Sequence, residues 1–279
     1  MLRLPAVAGR FYPDNPQELM AEIREFAKPL PNQKPRPVRA CLVPHAGYRY
    51  SGHVTGAVFS HIALPKKIVI LGVRHRPPGQ PVAIVSQGAW RTPLGDAVID
   101  EALAAALKNE CPILRDDRVA HTAEHSLEVQ LPFLQLLSLG FTFVPIALGT
   151  ARFDDLVAVG EALARVLAAN PEVLLLTTSD LNHYEDDATT RRKDHKAIDQ
   201  ILAMNPRGLY DVCRNEAISM CGLGPTVAML TALRALPATR PELVRYATSA
   251  DVSSDTSHVV GYAGFIFPEK QPSLGRLVN

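Results

Sequence analysis

Runs of apolar residues alternate with segments of helical periodicity along this chain, from residue 38 to residue 267. Such alternation favours a mostly parallel central sheet with helices on both faces, because every parallel connection crosses back over the sheet. The runs Val38–Val43, Lys67–Val73 and Val173–Thr178 are rich in Val, Ile and Leu and are predicted to be buried central strands. We therefore predict a single α/β domain over residues 1–279, onto which an N-terminal segment, residues 1–37, packs.

Further elements are predicted on both sides of these three strands. The other predicted strands are residues 81–86, 141–148, 243–250 and 259–267, and the last two lie close enough in the chain to pair antiparallel. The predicted helices are residues 51–62, 97–108, 126–139, 153–169, 189–204, 206–215 and 225–236. Ser51 is the expected N-cap of the first helix, and Pro132 is expected near the start of the third or at a kink within it.

The balance of charge argues against nucleic acid or an anionic membrane as a partner. The chain has 29 Lys and Arg residues and 28 Asp and Glu residues, and they are spread along it. A basic run from Arg191 to Lys193 is flanked by Asp187 and Asp194 and is interpreted as a solvated helix face. No apolar stretch reaches the length of a membrane span, and the N-terminus does not resemble a signal peptide, so a cytoplasmic protein is expected.

Three of the predicted strands are followed directly by polar residues that could form a site. The stretch PHAGYRYSG contains His45, LGVRHRPPG contains His75, and TTSDLNHY contains Asp180 and His183. Ligands of open α/β sheets bind beyond the carboxyl ends of the strands, and a parallel sheet brings these ends to one edge. One such histidine is most often a hydrogen-bonded loop residue, but three independent cases predict a functional site.

The stretch HTAEHSLEVQLPF holds two more histidines, although it does not form the HExxH pattern of zinc proteases. We interpret His125 as a candidate site residue and His121 as a solvent-exposed loop residue. In the alternative interpretation of this stretch, residues 124–126 only cap the helix that follows.

The stretch MCGLGPTVAML places Cys221 just before a predicted helix. The positive end of a helix dipole lowers the pKa of a thiol, and the resulting thiolate is both a metal ligand and a nucleophile. The alternative, a buried structural cysteine, fits Cys41 and Cys213 better, because they fall within a strand and a helix. Since there is no CxxC pair, neither a disulfide framework nor a zinc finger is expected.

Two imidazoles and one anionic side chain form a facial set that leaves positions open on a metal ion. With a carboxylate this set is typical of non-haem Fe(II) enzymes that use O₂, whereas a thiolate makes copper or zinc suitable as well. Asp180 and His183 could form a pair in which the carboxylate orients the ring, and further histidines could move protons.

Two alternatives without a metal remain open on the same residues. In the first, Cys221 is a nucleophile activated by His183 or His125, which would suit amide or ester hydrolysis. In the second, the chain is a non-enzymatic binding module whose cleft docks a peptide or a partner protein. Three tyrosines near the predicted site would suit such contacts, and they are Tyr48, Tyr50 and Tyr184.

Five motifs, taken together, resemble those of the Memo-like family. They are AGRFYP, PHAGYRYSG, EHSLE, TSDLNHY and the Cys-Gly pair at residue 221, and they run in the family's order within residues 6–267. Bacterial and archaeal members are called AmmeMemoRadiSam system protein B. The resemblance implies a single α/β domain similar to that of the class III extradiol ring-cleaving dioxygenases, the LigB-like fold.

The resemblance also implies roles for particular residues. The family's metal ligands fall on His45, His75 and Cys221. Its other site residues fall on His125, Asp180 and His183, which we assign to catalysis, with His183 as the proton acceptor. The dioxygenases have a glutamate where this family has the cysteine, so redox or oxygenase-like chemistry on an unknown substrate is expected rather than ring cleavage.

Cofactors and partners are also implied by the resemblance. Human Memo is associated with iron or copper and with redox signalling, so Fe(II) is the expected metal, with copper or zinc as alternatives. A cysteine-containing iron site loses its ion or oxidises in air, and the purified protein is expected to be prone to lack metal. Prokaryotic members resemble parts of a system that includes a radical-SAM protein and an AMMECR1-like protein.

One departure from the family pattern lies after the second strand. Many members carry a GPxH-like turn there, whereas this chain has Gly72, Val73, Arg74 and His75 in that order. The candidate ligand His75 is kept. Arg74 either brings a guanidinium close to the substrate or points away from the site as a surface residue.

Overall fold

Twelve strands form one mixed sheet in the computed structural model, which describes residues 1–31, 33–236 and 240–269. In chain order the strands are β1 (Leu2–Arg3), β2 (Val38–Val43), β3 (Lys67–Val73), β4 (Val82–Ile84), β5 (Ala89–Thr92), β6 (Gly95–Ile99), β7 (Arg115–Asp116), β8 (Thr142–Leu148), β9 (Val173–Thr178), β10 (His183–Glu185), β11 (Glu242–Thr248) and β12 (Val259–Pro268).

The order of the strands places the parallel ones at the centre. The main path runs β1-β5-β6-β8-β3-β9-β2-β12-β10, while β11 pairs with β12, β4 pairs with β8, and β7 pairs with β4. All neighbours from β6 to β2 on this path are parallel, whereas β12 is antiparallel to β2 and to β11. The carboxyl ends of β3, β9 and β2 therefore lie side by side.

Helices cover both faces of this sheet, as predicted. They are α1 (Pro16–Phe26), α2 (Tyr48–Ser60), α3 (Glu101–Glu110), α4 (Val119–Thr122), α5 (Leu131–Leu137), α6 (Phe153–Ala169), α7 (Asp187–Leu202), α8 (Pro206–Asn215), α9 (Leu223–Arg234) and α10 (Ala250–Ser253), with a 3₁₀ turn at Glu128–Gln130. Among the described residues, none of these helices is both long enough and apolar enough to cross a membrane.

Successive strand residues supply two separate apolar cores, one on each face. Leu42 and Leu71 belong to the core beneath α6 and α9, whereas Cys41 and Ile70 belong to the core beneath α1, α2 and α5. All four side chains are fully buried. This burial on both faces explains why the central strands are continuous apolar runs, and it confirms the α/β fold class and the structural role predicted for Cys41.

Three predicted helices begin at least three residues away from the predicted position. The helix α2 begins at Tyr48 after Gly47, and Ser51 lies within it, donating its hydroxyl to the Ala46 carbonyl group. The start of the predicted helix 97–108 is strand β6, and α3 begins only after Asp100, whose carboxylate caps it. The predicted helix 126–139 is the 3₁₀ turn followed by α5, with Pro132 in its first turn as predicted.

The N-terminal segment is anchored on one buried carboxylate. Glu128 is fully buried, and its oxygens accept hydrogen bonds from the backbone of Ala6 (2.8 Å) and Val7 (3.0 Å) and from the Tyr12 hydroxyl (2.7 Å). Arg3 completes the group with an ion pair of 2.7 Å. The segment is therefore attached to the same stretch of chain that carries the candidate site residue of the EHSLE motif.

His121 is buried, so the interpretation as a solvent-exposed loop residue was wrong. Its Nδ1 lies 2.8 Å from the Asp117 carbonyl oxygen, and its ring stands edge-on to Trp90, with ring centroids 5.8 Å apart. The N-terminal strand covers this position, because Arg3 donates to the His121 carbonyl group. Burial lowers the pKa of His121 to about 4.

This lowered pKa predicts a loss of stability in mild acid. Below its ordinary pKa of 6.5, His121 takes up a proton in the unfolded chain but not in the folded one until about pH 4. The free energy of unfolding should therefore fall by about 3 kcal/mol from this residue alone between pH 7 and pH 4. In urea titrations at these two pH values, the His121→Phe variant should lose about 3 kcal/mol less than the wild type, and equal losses would contradict the prediction.

Candidate metal centre

Three neighbouring strands deliver polar side chains to one edge of the sheet. His45 follows β2, His75 follows β3, and Asp180 follows β9. Because β3, β9 and β2 are adjacent and parallel, the residues after them meet at the carboxyl edge. The structure thus brings the three strand-end motifs together, as the sequence predicted.

Two further segments reach the same edge from outside the sheet. Cys221 lies just before α9, and His125 lies just before the 3₁₀ turn. Glycine permits both approaches: a side chain at Gly72 in β3 would overlap Ser126, and a side chain at Gly222 would overlap the end of β9. The close packing of these segments explains two of the glycines in the motifs.

The three residues predicted as metal ligands converge. His45, His75 and Cys221 each offer one ligand atom, and these atoms all lie within 4.8 Å of one another. The Sγ of Cys221 is 3.1 Å from the Nε2 of His45. Two other groups of three residues overlap with this one, and the ligand atoms within each also lie within 4.8 Å of one another. The first group is His75, Glu124 and His125, and the second is Asp180, His183 and Cys221.

Three imidazoles of the site are held at Nδ1, so that Nε2 is left to face the other site residues. The Nδ1 contacts, each 2.9 Å long, are His45 with Thr178 Oγ1, His75 with Glu124 Oε1, and His183 with the Ser219 carbonyl oxygen. An imidazole whose Nδ1–H donates a hydrogen bond keeps a lone pair on Nε2 for a metal or a proton. The histidines are thus oriented as metal-binding histidines usually are.

His125 joins this group through its ring. It stacks on His75 with ring centroids 4.6 Å apart, and it stands edge-on to His45 at 5.6 Å. The Phe11 ring lies 4.8 Å away on another side. Burial and the nearby histidines lower the pKa of His45 well below its ordinary value, and burial lowers the pKa of His125 to about 4. Both rings are therefore neutral near pH 7, which is the form that binds metals.

Glu124 is the buried carboxylate that orients His75, and the alternative interpretation of it as only part of a helix cap was wrong. It accepts hydrogen bonds from the His75 backbone (2.7 Å), from His75 Nδ1 (2.9 Å) and from the Ser126 backbone (2.7 Å). Burial raises the pKa of Glu124, but the hydrogen bonds from His75 and the neighbouring imidazoles outweigh it and hold the pKa below its usual range.

The role of Glu124 predicts an effect on metal affinity. Glu124→Gln keeps the shape of the side chain but presents a weaker acceptor to His75, so we expect metal affinity to fall about 10–100-fold. Isothermal titration with Fe(II) under argon would measure this change. The exposed Glu172, which pairs with Lys67, offers a matched control in Glu172→Gln. Equal affinity in both variants would contradict the orienting role.

Asp180 does not use its carboxylate to orient His183, which corrects the predicted pair. Its Oδ1 accepts hydrogen bonds from the backbone of His45 (2.8 Å) and Ala46 (3.3 Å), and its backbone N–H points at Cys221 Sγ, 3.3 Å away. Burial raises the pKa of Asp180. Asp180 therefore holds the backbone of one candidate ligand and contacts another.

Cys221 does not have the lowered pKa that was predicted from the helix dipole. Burial, together with the charge of Asp180, raises the pKa of the thiol. The helix α9 begins at Leu223, so Cys221 lies outside its first turn, where the dipole acts. The ring nitrogen within hydrogen-bonding distance of Sγ belongs to His45, rather than to His183 or His125 as the metal-free alternative assumed.

His183 lies in β10 and is held by a chain of hydrogen bonds from α7. Its backbone N–H donates to Ser219 Oγ at 2.8 Å. The Ser219 backbone and hydroxyl donate to Asn182 Oδ1 at 3.1 and 3.2 Å, and the Asn182 backbone donates to Asp194 at 2.9 Å. Burial raises the pKa of Asp194 to about 6. Asn182 and Ser219 are thus supporting residues that the sequence interpretation missed.

The three tyrosines proposed as contacts have different surroundings. Tyr48 is buried in the core and donates its hydroxyl to the Val129 carbonyl group, so it is not available at a cleft. Tyr50 is partly buried. Tyr184 is 73% exposed beside His183, and it has a positive φ of 62° at the point where the β10–β12 register shifts. Tyr184 is therefore the tyrosine of the three that a ligand could reach most directly.

The fold and the site define an α/β protein with a candidate His/His/Cys metal-binding group at the carboxyl edge of its sheet. The model of the Memo-like protein family matches residues 3–266, and the chain belongs to this family. The resemblance inferred from the five motifs is thereby confirmed.

Curated relatives named MEMO1 family proteins support this assignment along nearly the whole chain. The relative from Methanopyrus kandleri is 40% identical, covering 96% of this chain and 99% of its own. The relative from Archaeoglobus fulgidus is 42% identical, covering 95% and 99%. A crystal structure of an uncharacterized protein from Escherichia coli K12 is similar in fold, with a TM-score of 0.50 and 12% identity, covering 80% of this chain and 99% of that one.

Proposed function

We propose that this chain is a metal-dependent enzyme of redox or oxygenase-like chemistry, with His45, His75 and Cys221 holding the metal. The observation that supports this most directly is the convergence of one ring nitrogen from each histidine and the Sγ of Cys221 within 4.8 Å, with each ring held at Nδ1 by another group. Fe(II) is the first choice of metal, and copper or zinc are the alternatives.

The chemistry of the donor set fits such a metal. The His45 imidazole is neutral near pH 7, so no proton has to leave it on binding. The raised pKa of the Cys221 thiol means that binding releases one proton from sulfur. When bound, the metal supplies one-electron redox chemistry and Lewis acidity.

The chain's other site residues supply proton handling and shape. His183 presents Nε2 to the site while Ser219 fixes its Nδ1, so it is the proton acceptor in this proposal. His125 lines the site as a neutral ring, and Asp180 holds the backbone of His45 in place. These are the three residues to which we assign catalysis.

The partners in this proposal follow from family membership. We propose a small-molecule or peptide substrate and a shared system with a radical-SAM protein and an AMMECR1-like protein. Co-purification of the tagged chain with both candidates, expressed together without oxygen, would test the second part. Elution of the chain free of both would contradict it.

Metal loading under anaerobic conditions tests the central proposal. The chain is loaded with Fe(II) or Cu(I), desalted and analysed for metal content, and about one ion per chain is expected. The variants His45→Ala and His75→Ala should retain much less, whereas His61→Ala, which replaces a histidine bonded within α2, should bind as the wild type does. A wild-type protein that takes up neither iron nor copper would sink the proposal.

A Cys–His hydrolase is the second candidate, and one contact favours it. Sγ of Cys221 and Nε2 of His45 lie 3.1 Å apart, which is within reach for a nucleophile and its base. Rapid alkylation of Cys221 by iodoacetamide near pH 7, unchanged by saturating metal, would favour this reading. Slow alkylation, as the raised pKa predicts, would favour the metal centre.

A further inference from the structure

We propose that Arg74 binds a carboxylate group of the substrate at the edge of the metal centre, with Arg76 adding positive charge beside it. This inference rests on the proposed function, because it names the class of molecule on which the centre would act. That class is a small carboxylic acid with a second group that reaches the metal ligands.

The Arg74 guanidinium group is partly desolvated, and no carboxylate of the described residues forms an ion pair with it. Arg36, Arg39 and Arg74 each have a buried Nε without a hydrogen-bond partner. The terminal nitrogens of Arg36 contact Glu242, and those of Arg39 contact backbone carbonyl groups. Within residues 1–31, 33–236 and 240–269, no side-chain nitrogen of Arg74 has a hydrogen bond or an ion pair. A desolvated cation without an anion is costly, which makes Arg74 a receptor for an anion from outside.

Packing holds the Arg74 side chain against the residue that follows β8. Its backbone N–H donates to the Leu148 carbonyl group at 2.9 Å, and its guanidinium group lies against Gly149, where any larger residue would overlap it. Gly149 directly follows β8, and β8 is the neighbour of β3, which leads to His75. A carboxylate on Arg74 would therefore lie one or two strand spacings, roughly 5–10 Å, from His75.

Arg76 gives the same edge a second cation. It lies on the other side of His75 in the chain, is exposed, and has no ion pair within the described residues. Its charge contributes to the lowered pKa of His125, so its field reaches the site. The nearby carboxylate of Glu124 already accepts hydrogen bonds from His75 and from the Ser126 backbone, and within the described residues it forms no ion pair with either arginine.

The shape of the donor favours a carboxylate as the bound group. A guanidinium group is planar and presents paired N–H donors that match the two oxygens of a carboxylate. Nε and one terminal nitrogen of Arg74 lie nearest to Gly149, but Nε alone is buried without a partner, so the edge formed by the two terminal nitrogens is left for the ligand. Lysine at this position would keep the charge and lose the paired donors.

The first experiment uses metal-free protein and therefore does not depend on the proposed function. Titration calorimetry compares succinate with its uncharged analogue succinamide. Succinate should bind and succinamide should not, and Arg74→Gln should weaken succinate binding at least about fivefold while Arg76→Gln weakens it less. The exposed Arg234 in the last turn of α9, about 16 Å along the helix from its start, gives the control Arg234→Gln. Absence of succinate binding, or equal binding by Arg74→Gln and the wild type, overturns the proposal.

The second experiment tests whether one ligand binds the metal and Arg74 at the same time. Succinohydroxamic acid and butyrohydroxamic acid carry the same metal-binding group and differ in the tail carboxylate. On metal-loaded wild type the carboxylate tail should add about tenfold in affinity, and Arg74→Gln or Arg74→Lys should remove most of that preference. Failure of the metal to bind would count against the proposed function alone, because the succinate titration judges Arg74 separately.

Discussion

Replacing Cys221 by serine is expected to lower the affinity for iron or copper by more than about 100-fold, since loss of an outer-shell partner alone costs 10–100-fold. Serine keeps nearly the size of cysteine, so the contact with Asp180 and the packing before α9 should survive. What is lost is the thiolate, which is the soft and anionic member of the donor set. Competition against a chromogenic chelator under argon would measure the affinity.

A second readout separates loss of a ligand from loss of the fold. Copper(II) or oxidised iron bound to a thiolate absorbs visible light, and this absorption should vanish in Cys221→Ser while the circular dichroism spectrum stays the same. The buried Cys111 gives a matched control, because Cys111→Ser removes a thiol that lies away from the site in the apolar core. Retention of both affinity and colour by Cys221→Ser would show that sulfur is not a ligand.

Replacing Glu128 by glutamine is expected to lower the free energy of unfolding by about 3–5 kcal/mol, the usual effect of breaking a buried ion pair. The carboxylate is fully buried, forms an ion pair with Arg3, and accepts hydrogen bonds from Ala6, Val7 and Tyr12. Glutamine would present an N–H₂ group to donors that now meet oxygen, which leaves buried groups unsatisfied. Urea unfolding followed by tryptophan fluorescence suits this test, because Trp90 lies beneath Arg3.

The Glu128 effect also predicts where the molecule loosens first. Arg10 is exposed, but its backbone is held in a turn by Val7, so release of the N-terminal segment should let trypsin cleave after Arg10 at urea concentrations at which the wild type resists cleavage. The exposed pair of Glu172 and Lys67 provides the contrast, since Glu172→Gln should leave the free energy of unfolding nearly unchanged. Similar losses of stability in the two variants would show that the buried Glu128 stabilises the fold no more than the exposed Glu172 does.

Sequence patterns predicted the central sheet well because its strands are long and apolar. The predicted ranges of β2, β3 and β9 agree with the structure, and the polar residues that follow these strands meet at one edge of the sheet. The short strands β1, β5, β7 and β10 were missed. They have between two and four residues, which is too few for a period of two to be visible, and they form through pairing with distant partners.

The supporting residues of the site were harder to predict than its histidines. Glu124 was visible in the EHSLE motif, but its role depends on a bond to His75, 49 residues earlier in the chain. Ser219 holds the His183 ring through its backbone carbonyl group, and a backbone contact of this kind cannot be predicted from the residue type. The pKa of Cys221 was predicted in the wrong direction because the local helix was visible in sequence while the burial of the thiol was not.

Two donors of the candidate centre, His45 and Cys221, have ligand atoms 3.1 Å apart and are separated by 176 residues in the chain. An unfolded chain cannot hold these groups together, so a metal ion that binds here selects the native state. Metal binding can therefore be measured as thermal stabilisation. A free metal concentration 100 times the dissociation constant should add about 2.7 kcal/mol to the free energy of unfolding. Melting curves recorded across a panel of metal ions would rank the candidates without any knowledge of the substrate.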